Sequence, residues 1–268
     1  MKHTAASRNL LINSIKTNLD DKAIMAQNKK YWDATADEWF GVTSLPTLGC
    51  LVPSEEDLHL FGDVSGKKIL EIGCGSGHSL KYHGDRNAAE LWGLDISTQQ
   101  IKNATRYLKE SGYEAHLFNN PMEERINLPI DYFDIVYSIY AIGWTTDLQK
   151  TFDLTASYLK QGGLFIFSWD HPLMRCMETN EDKLVFEGCY YDENIFTYQK
   201  DGFDISISKR KISTYINALS KAGFAIEEMI EETDKQTLEN DCEITQKYYS
   251  AFKAKKFPLS FIIKARKL

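Results

Sequence analysis

The chain has 268 residues, of which 43% are hydrophobic and 26% are charged, and its formal net charge is −7 at pH 7. This length accommodates one large domain or a domain with a small subdomain, and the composition is that of an ordinary globular protein. The negative charge argues against a broad nucleic-acid-binding face, which needs a basic surface. We therefore interpret the basic stretches at 209–211 and 253–267 as solvated surface.

Cysteine and histidine usage argues against disulfides and metal sites. The five cysteines are odd in number, widely spaced and without a Cys-x-x-Cys pair, so neither a disulfide framework nor a zinc site is expected. Five of the six histidines show no spacing typical of metal ligands; they are His3, His59, His78, His83 and His116. The apolar run at 10–12 is too short for a signal peptide, and no stretch approaches a membrane span. We predict a cytoplasmic protein that binds neither metal nor membrane, and the sequence does not indicate its oligomeric state.

Helical patterns precede the core. Apolar residues at positions 10, 11, 15 and 19 have helical spacing and predict a short amphipathic helix. Residues 22–40 predict a longer helix that carries Tyr31, Trp32 and Trp39. Pro53, followed by an acidic run at 55–57, predicts another helix start. We therefore expect an N-terminal helical region over residues 1–62.

The most informative stretch is residues 69–77, Ile-Leu-Glu-Ile-Gly-Cys-Gly-Ser-Gly. It predicts a buried strand that enters a glycine loop and then a helix, the geometry with which open α/β sheets hold nucleotide-like ligands. The dinucleotide fingerprint needs Gly-x-Gly-x-x-Gly, and its third position is His78 here. The spacing found is Gly-x-Gly-x-Gly, with Glu71 before it.

Further strands follow at regular intervals. Residues 91–96 predict a buried strand that ends in Asp95, 22 residues after Gly73 and near the distance at which a carboxylate meets ribose hydroxyls. Residues 133–138 predict another strand, and residues 159–167 predict a helix ending at glycine before a strand. Short strands are expected between 171 and 208, then a helix over 209–221, a strand from Phe224 and a closing strand over 258–265.

As a set, the segments LEIGCGSG, GLDIS, FDIVYS and LKQGG resemble the Rossmann-like (class I) S-adenosylmethionine-dependent methyltransferases. The resemblance implies an α/β fold with a seven-stranded, mostly parallel sheet, helices on both faces and the last strand inserted antiparallel. It also implies that S-adenosylmethionine is the cofactor. In this interpretation residues 1–62 form a helical lid, residues 63–268 form the methyltransferase core, and residues 171–208 are a substrate-side insertion.

The resemblance places the cofactor against the glycine loop, with Glu71 near its amino group, Asp95 on its ribose and Ile96 on its adenine. An acidic residue that many relatives carry beside the adenine is replaced here by Asn, so Asn120 is expected to contribute backbone contacts and Met122 to pack on the ring. The predicted cofactor-binding residues are Glu71, Gly73, Cys74, Gly75, Ser76, Gly77, Asp95, Ile96, Gln100, Asn120, Pro121, Met122, Ser138 and Tyr140.

His171 follows the fifth core strand and titrates near neutrality, so it is the candidate general base. An aromatic pocket is expected for the acceptor, with Tyr31, Trp144, Tyr190 and Tyr191 as substrate-binding residues. We predict an enzyme that transfers a methyl group to a small-molecule acceptor by in-line displacement. The alternatives are a methyltransferase for protein or RNA, a dinucleotide-dependent oxidoreductase and a non-catalytic cofactor-binding protein.

Overall fold

The computed structural model describes residues 15–268 of the chain. In chain order its strands are β1 (Ile15–Lys16), β2 (Lys68–Ile72), β3 (Glu90–Asp95), β4 (His116–Asn119), β5 (Phe133–Ile139), β6 (Leu159–Asp170), β7 (Met177–Asn180), β8 (Lys183–Phe186), β9 (Ile195–Lys200), β10 (Phe203–Ser208), β11 (Phe224–Ile230) and β12 (Ser260–Lys267). Its α-helices are α1 (Asp21–Ala34), α2 (Glu55–Leu58), α3 (His78–Gly84), α4 (Thr98–Glu110), α5 (Leu148–Tyr158), α6 (Ile212–Lys221), α7 (Lys235–Glu239) and α8 (Ala251–Ala254).

Seven strands form the central sheet, in the order β11-β12-β6-β5-β2-β3-β4. β12 is antiparallel to both of its neighbours, and the other six strands are parallel. The predicted fold class is therefore confirmed, including the antiparallel last strand. The carboxyl ends of the parallel strands meet along one edge, which is where open α/β sheets bind ligands.

Two hydrophobic clusters cover the two faces of this sheet. Alternate strand residues divide between them because successive side chains point to opposite faces. Leu70, Val136 and Phe165 belong to the cluster packed under α5 and α6, whereas Ile69 and Ile135 belong to the cluster that residues 45–64 cover. Burial on both faces explains why these strands are almost continuously apolar.

The N-terminal predictions need correction. Ile15 and Lys16 form β1, which pairs with β9, so a helix there is wrong; residues 10–14 lie outside the described residues. The helix expected over 22–40 is α1, which ends at Ala34 and continues as turns. Ser54 caps α2 through a reciprocal bond with Asp57, as the acidic start predicted.

The glycine pair at 162–163 does not end a helix. α5 ends at Tyr158, and residues 159–170 form one long strand, β6. Gly162 has φ +76° there, and the pairing of β5 with β6 shifts register beside it. The glycines therefore lie in a β-bulge near the start of β6 and do not cap a helix.

Short strands occupy the region between β6 and α6. β7 and β8 form a hairpin, while β1, β9 and β10 form a three-stranded sheet. α1 packs on β10, where the Asn28 amide exchanges two hydrogen bonds of 2.8 Å with the backbone of Ser206. This pairing fixes α1 and the small sheet as one wall beside the carboxyl edge of the central sheet.

Candidate active site

A cavity of about 730 Å³ lies at the carboxyl ends of β2, β3, β5 and β6. We divide its walls into two parts. The glycine-loop end comprises residues 71–76, 94–100 and 120–123 that line the cavity. The aromatic end comprises the lining residues Trp32, Trp39, Tyr140, Trp144, Trp169, Asp170, Arg175, Tyr198, Lys200 and those of segment 241–251.

The glycine loop turns sharply at the end of β2. The amides of Gly73 and Cys74 both donate to the Leu94 carbonyl, at 2.8 and 3.0 Å, which ties the loop to β3. Gly73 has φ +75°, and a Cβ there would overlap the Cβ of Ala141. Gly75 has φ +50°, but a Cβ there would meet no atom within 4 Å. Gly73 therefore permits close packing of the backbone, whereas Gly75 keeps the cavity open.

Asp95 ends β3 beside this loop. Its Oδ2 accepts from the Gly75 amide at 3.0 Å and its Oδ1 from the Ser97 amide at 2.8 Å. Each carboxylate oxygen has a second lone pair, so Asp95 can still accept from two hydroxyls. Burial raises the pKa of Asp95 to about 6, against the effect of these two amides. The arrangement is a fixed pair of acceptors at the cavity wall.

Glu71 lines the cavity from inside β2. Its Oε2 accepts from the hydroxyl of Tyr137 at 3.1 Å. Burial raises the pKa of Glu71 well above its usual range, although hydrogen bonds from Tyr137 and Ser79 act in the opposite direction. A positive group next to Glu71 would therefore favour its ionised form.

Most of the predicted cofactor residues lie in the wall of this end. They are Glu71, Gly73, Cys74, Gly75, Ser76, Asp95, Ile96, Gln100, Asn120, Pro121 and Met122. The Asn120 amide donates to the Asp95 carbonyl at 3.1 Å, which brings the 120–122 loop against β3. Gln100 is buried, and its Oε1 has no hydrogen-bond partner among the described residues.

Two predicted cofactor residues lie elsewhere. Gly77 does not line the cavity; it is the N-cap of α3, with φ +80°, and a Cβ there would press on Leu108 and Ala104 of α4. Ser138 is fully buried inside β5 and does not line the cavity either. Their placement at the cavity is therefore corrected: Gly77 serves helix packing, and Ser138 belongs to the sheet interior.

α1 is fastened to the start of α4. Asp33 accepts from the Ser97 hydroxyl at 2.8 Å and from the Gln99 amide at 3.1 Å, which adds a cap to α4 from another helix. The Lys29 ammonium donates to Asp33 and to Thr98, both at 2.7 Å. These bonds hold Trp32 of α1 in the wall of the cavity.

Five rings form a continuous wall at the aromatic end. Trp39 packs edge-on against Trp32 with their ring centroids 5.5 Å apart, and Trp32 packs against Trp144 at 5.2 Å. Trp144 contacts Trp169 at 6.0 Å, and Trp169 contacts Tyr140 at 5.6 Å. Tyr140 and Trp144, both predicted at the site, thus line the cavity with tryptophans from distant segments.

Tyr140 has a strained backbone and a buried hydroxyl. Its φ is +53°, a conformation that costs a non-glycine residue about 1–2 kcal/mol. Its hydroxyl hydrogen-bonds the Ser260 hydroxyl and accepts from the Cys50 amide at 3.3 Å. Strain of this kind concentrates at functional sites because surrounding contacts hold it in place.

Three predicted substrate residues do not line the cavity. Tyr31 is 1% exposed and packs against Phe203, because adjacent helix positions point about 100° apart and Trp32 takes the cavity side. Tyr191 is 79% exposed, and the Tyr190 hydroxyl accepts from the Ile212 amide at 3.3 Å. The placement of Tyr31, Tyr190 and Tyr191 at the cavity is therefore wrong.

His171 is also not among the residues that line the cavity. Its Nδ1 accepts from the Leu173 amide at 3.2 Å, which assigns the proton to Nε2, 2.7 Å from Glu231 Oε1. Burial lowers the pKa of His171, although Glu231 acts against it. Both ring nitrogens are engaged, so the ring has no free lone pair for a substrate proton. The prediction that His171 faces the crevice is wrong.

Asp170, one residue earlier, is the carboxylate that the sequence reasoning missed. It ends β6, lines the cavity and is 7% exposed. Its Oδ1 accepts from the Tyr249 hydroxyl at 2.7 Å, and Tyr248 lies 3.4 Å from Oδ2. Burial raises the pKa of Asp170, opposed by Arg175 and by these hydroxyls. Its position at the end of a strand is a sequence signal that could have identified Asp170. Its partners Tyr248 and Tyr249 lie in a loop for which the sequence gives no such signal.

The comparisons with known proteins agree with this geometry. Residues 69–163 match the family model described as a methyltransferase domain. Residues 69–163 are a methyltransferase domain. The fold around it is that of the class I S-adenosylmethionine-dependent methyltransferases.

Three relatives illustrate the range of similarity. An uncharacterized protein of Haemophilus influenzae is 29% identical over 69% of this chain and 78% of its own length. The ubiquinone biosynthesis O-methyltransferase of Salmonella enteritidis is 30% identical over 40% of this chain, but the match spans only 44% of that enzyme. The solved S-adenosylmethionine-dependent methyltransferase of Mesorhizobium loti has the same fold, with TM-score 0.65 and 23% identity over 78% of this chain and 95% of its own.

Two further findings concern residues 15–268 of the chain. None of the helices in this range is long and apolar enough to cross a membrane. The same range contains no group of three or more His, Cys, Asp or Glu side chains placed to hold a metal ion.

Proposed function

We propose that this methyltransferase transfers the methyl group of S-adenosylmethionine to a small-molecule acceptor bound at the aromatic end of the cavity. The observation that carries the proposal is the continuity of the cavity. One space of about 730 Å³ joins the glycine loop to the ring of aromatic side chains. That volume lies within the range of about 300–1,000 Å³ typical of small-molecule sites.

The glycine-loop end suits the cofactor. Gly73 to Ser76 would hold its amino-acid part, with Glu71 facing the ammonium group. Asp95 would accept from the two ribose hydroxyls through its free lone pairs, and Ile96 and Met122 would flank the adenine. Two observations support this fit: Gly75 leaves open space where a side chain would intrude, and Gln100 Oε1 has no partner among the described residues.

When bound, S-adenosylmethionine supplies a methyl group that its sulfonium has already activated. The residues of this chain then need to hold an acceptor in line and to exclude water. Orientation of this kind contributes up to about 7–11 kcal/mol. The rings of Trp32, Tyr140 and Trp144 would also attract a positive sulfonium, by about 0.5–2 kcal/mol.

Asp170 is the group placed to accept a proton. A hydroxyl or another protonated acceptor must lose its proton during transfer, and a carboxylate within reach can take it. Burial raises the pKa of Asp170, which makes its carboxylate a stronger base than that of an ordinary aspartate. We assign Asp170 this role in place of His171.

A small acceptor is favoured over a protein or an RNA. Residues of α1 and of segment 241–251 line the cavity together with the central sheet, so its walls come from several sides, as suits a small ligand. The net charge of −7 also opposes RNA binding. The name of the Salmonella relative places that enzyme in ubiquinone biosynthesis, which is consistent with a small molecule.

The test uses the purified chain, S-adenosylmethionine with an isotopically labelled methyl group, and a cell extract divided into metabolite, protein and RNA fractions. We expect label in the metabolite fraction and, at a low concentration of S-adenosylmethionine, much less label with the Asp95→Ala variant. Label in protein or RNA instead would refute the small-molecule proposal. Calorimetric binding of the cofactor without label in any fraction would support a non-catalytic binding protein.

A further inference from the structure

Arg175 is a buried cation in the wall of the aromatic end. It is 7% exposed and closes the short 3-10 helix Pro172–Arg175 that follows β6. Its Nη1 donates to the Ser208 carbonyl of β10 at 2.7 Å. Its Nη2 has no hydrogen-bond partner anywhere in residues 15–268. An unpaired guanidinium N–H shielded from water is costly, so it indicates a position where an acceptor group is missing.

Positive charge is concentrated around this side chain. Burial lowers the pKa of Lys209, and the nearby charge of Arg175 lowers it further. Burial likewise lowers the pKa of Arg210, again with a contribution from Arg175. Asp170 lines the cavity beside them, and each of its oxygens accepts from one tyrosine hydroxyl, Tyr248 or Tyr249, and keeps a second lone pair. Arg175, Lys209 and Arg210 therefore form a group of cations, near which Asp192 and Glu123 supply negative charge.

We propose that the methyl acceptor carries a carboxylate that binds to the guanidinium of Arg175. This inference rests on the proposed function and adds the substrate class to it. A single negative charge suits the site, since a phosphate dianion would bring two charges next to Asp170. The body of the acceptor would lie against Trp32, Trp144 and Trp169, so it is apolar or aromatic. Planar carboxylates also match guanidinium geometry.

The experiment measures binding to the chain saturated with S-adenosylhomocysteine. Two matched pairs serve as probes, benzoate with benzamide and phenylacetate with phenylacetamide, each titrated by calorimetry. We expect the wild type to bind each acid more tightly than its amide. Arg175→Gln should weaken binding of the acids about 10- to 100-fold and leave the amides unchanged, because it removes a charge-assisted hydrogen bond.

Arg210→Gln is the matched control. Arg210 also donates to a backbone carbonyl, that of Thr145, and its Nη1 also has no partner among the described residues, but it does not line the cavity. We expect this variant to keep the preference for acids. If Arg175→Gln does not fold, Arg175→Lys replaces it and should retain a reduced preference, because the charge is kept without the planar fork.

The outcomes separate this inference from the proposed function. Failure of the wild type to bind S-adenosylhomocysteine would refute the proposed function itself. Normal binding of S-adenosylhomocysteine, with neither acid preferred to its amide, would overturn only the carboxylate proposal. Tighter binding of phenyl phosphate than of benzoate, or an unchanged preference in both Arg175 variants, would also overturn it.

Discussion

Asp95 and Asp170 are both carboxylates at the carboxyl ends of parallel strands, yet their surroundings differ. Asp95 accepts from the backbone amides of Gly75 and Ser97, which lie within 20 residues of it in the chain. Asp170 accepts from the side-chain hydroxyl of Tyr249, which is 79 residues away. At the glycine-loop end, backbone groups hold the site, whereas at the aromatic end side chains from distant segments do so.

This difference has a physical consequence for what each end can recognise. Backbone donors stay in place whatever side chains surround them, so the glycine-loop end is suited to one invariant ligand. The aromatic end depends on α1, β6, β9 and the 241–251 segment, whose side chains can be exchanged without changing the central sheet. Specificity for the acceptor can therefore change while cofactor binding stays the same.

The largest expected effect lies at the aromatic end. Asp170→Asn keeps the size of the side chain but removes the proton acceptor, so we expect kcat to fall about 10²- to 10⁴-fold. The affinity for S-adenosylmethionine should not change, since Asp170 lies away from the glycine loop. Steady-state kinetics and calorimetry measure the two quantities. An unaltered kcat would show that the acceptor needs no base or that another group supplies it.

The pH profile sharpens that test. Asp170 must be ionised to accept a proton, and burial raises its pKa, so kcat should fall on the acid side at a higher pH than for an ordinary aspartate. Tyr249→Phe removes a donor that stabilises the carboxylate. We expect this variant to raise the pKa of Asp170, so that the fall of kcat on the acid side of the pH profile occurs at a higher pH than in the wild type.

The second-largest effect distinguishes the roles of Gly73 and Gly75 in the glycine loop. Gly73→Ala combines a left-handed φ with an overlap on Ala141, so we expect it to lower the free energy of unfolding by about 2–5 kcal/mol. Gly75→Ala bears only the strain of φ +50° and should retain more stability, but its methyl group would enter the cavity and weaken cofactor binding. Chemical denaturation and calorimetry measure the two losses. Equal loss of stability in both variants would contradict the division of roles.

The sheet and the glycine-loop end could be predicted from the sequence because their signals are local. One short segment contains the strand, the glycines and Glu71, and another ends in Asp95. At the aromatic end the sequence predicts His171 and Tyr31 at the cavity, whereas their chain neighbours Asp170 and Trp32 line it. Adjacent residues point in different directions, and the direction depends on strand register and helix rotation, which tertiary packing determines.

A third effect returns to the glycine-loop end. Asp95→Ala should weaken binding of S-adenosylmethionine about 10- to 100-fold, because two charge-assisted hydrogen bonds to the ribose are lost. In the wild type, burial raises the pKa of Asp95 to about 6. Since the ionised form accepts the hydroxyls, affinity should fall as pH decreases below that value. Asp95→Asn should show no such pH dependence, and calorimetry at several pH values tests this directly.

The smallest expected effect concerns His171, which is not among the residues that line the cavity. His171→Asn preserves an acceptor for the Leu173 amide and loses the contact with Glu231, a half-exposed partner, and the edge-on packing against Phe261. We expect kcat to remain unchanged and the free energy of unfolding to fall by about 0.5–1.5 kcal/mol. A marked loss of kcat without loss of cofactor affinity would return the catalytic role to His171. In that case His171, and not Asp170, would accept the proton of the acceptor. The fall of kcat at acid pH would then persist in the Asp170→Asn variant and disappear in the His171→Asn variant.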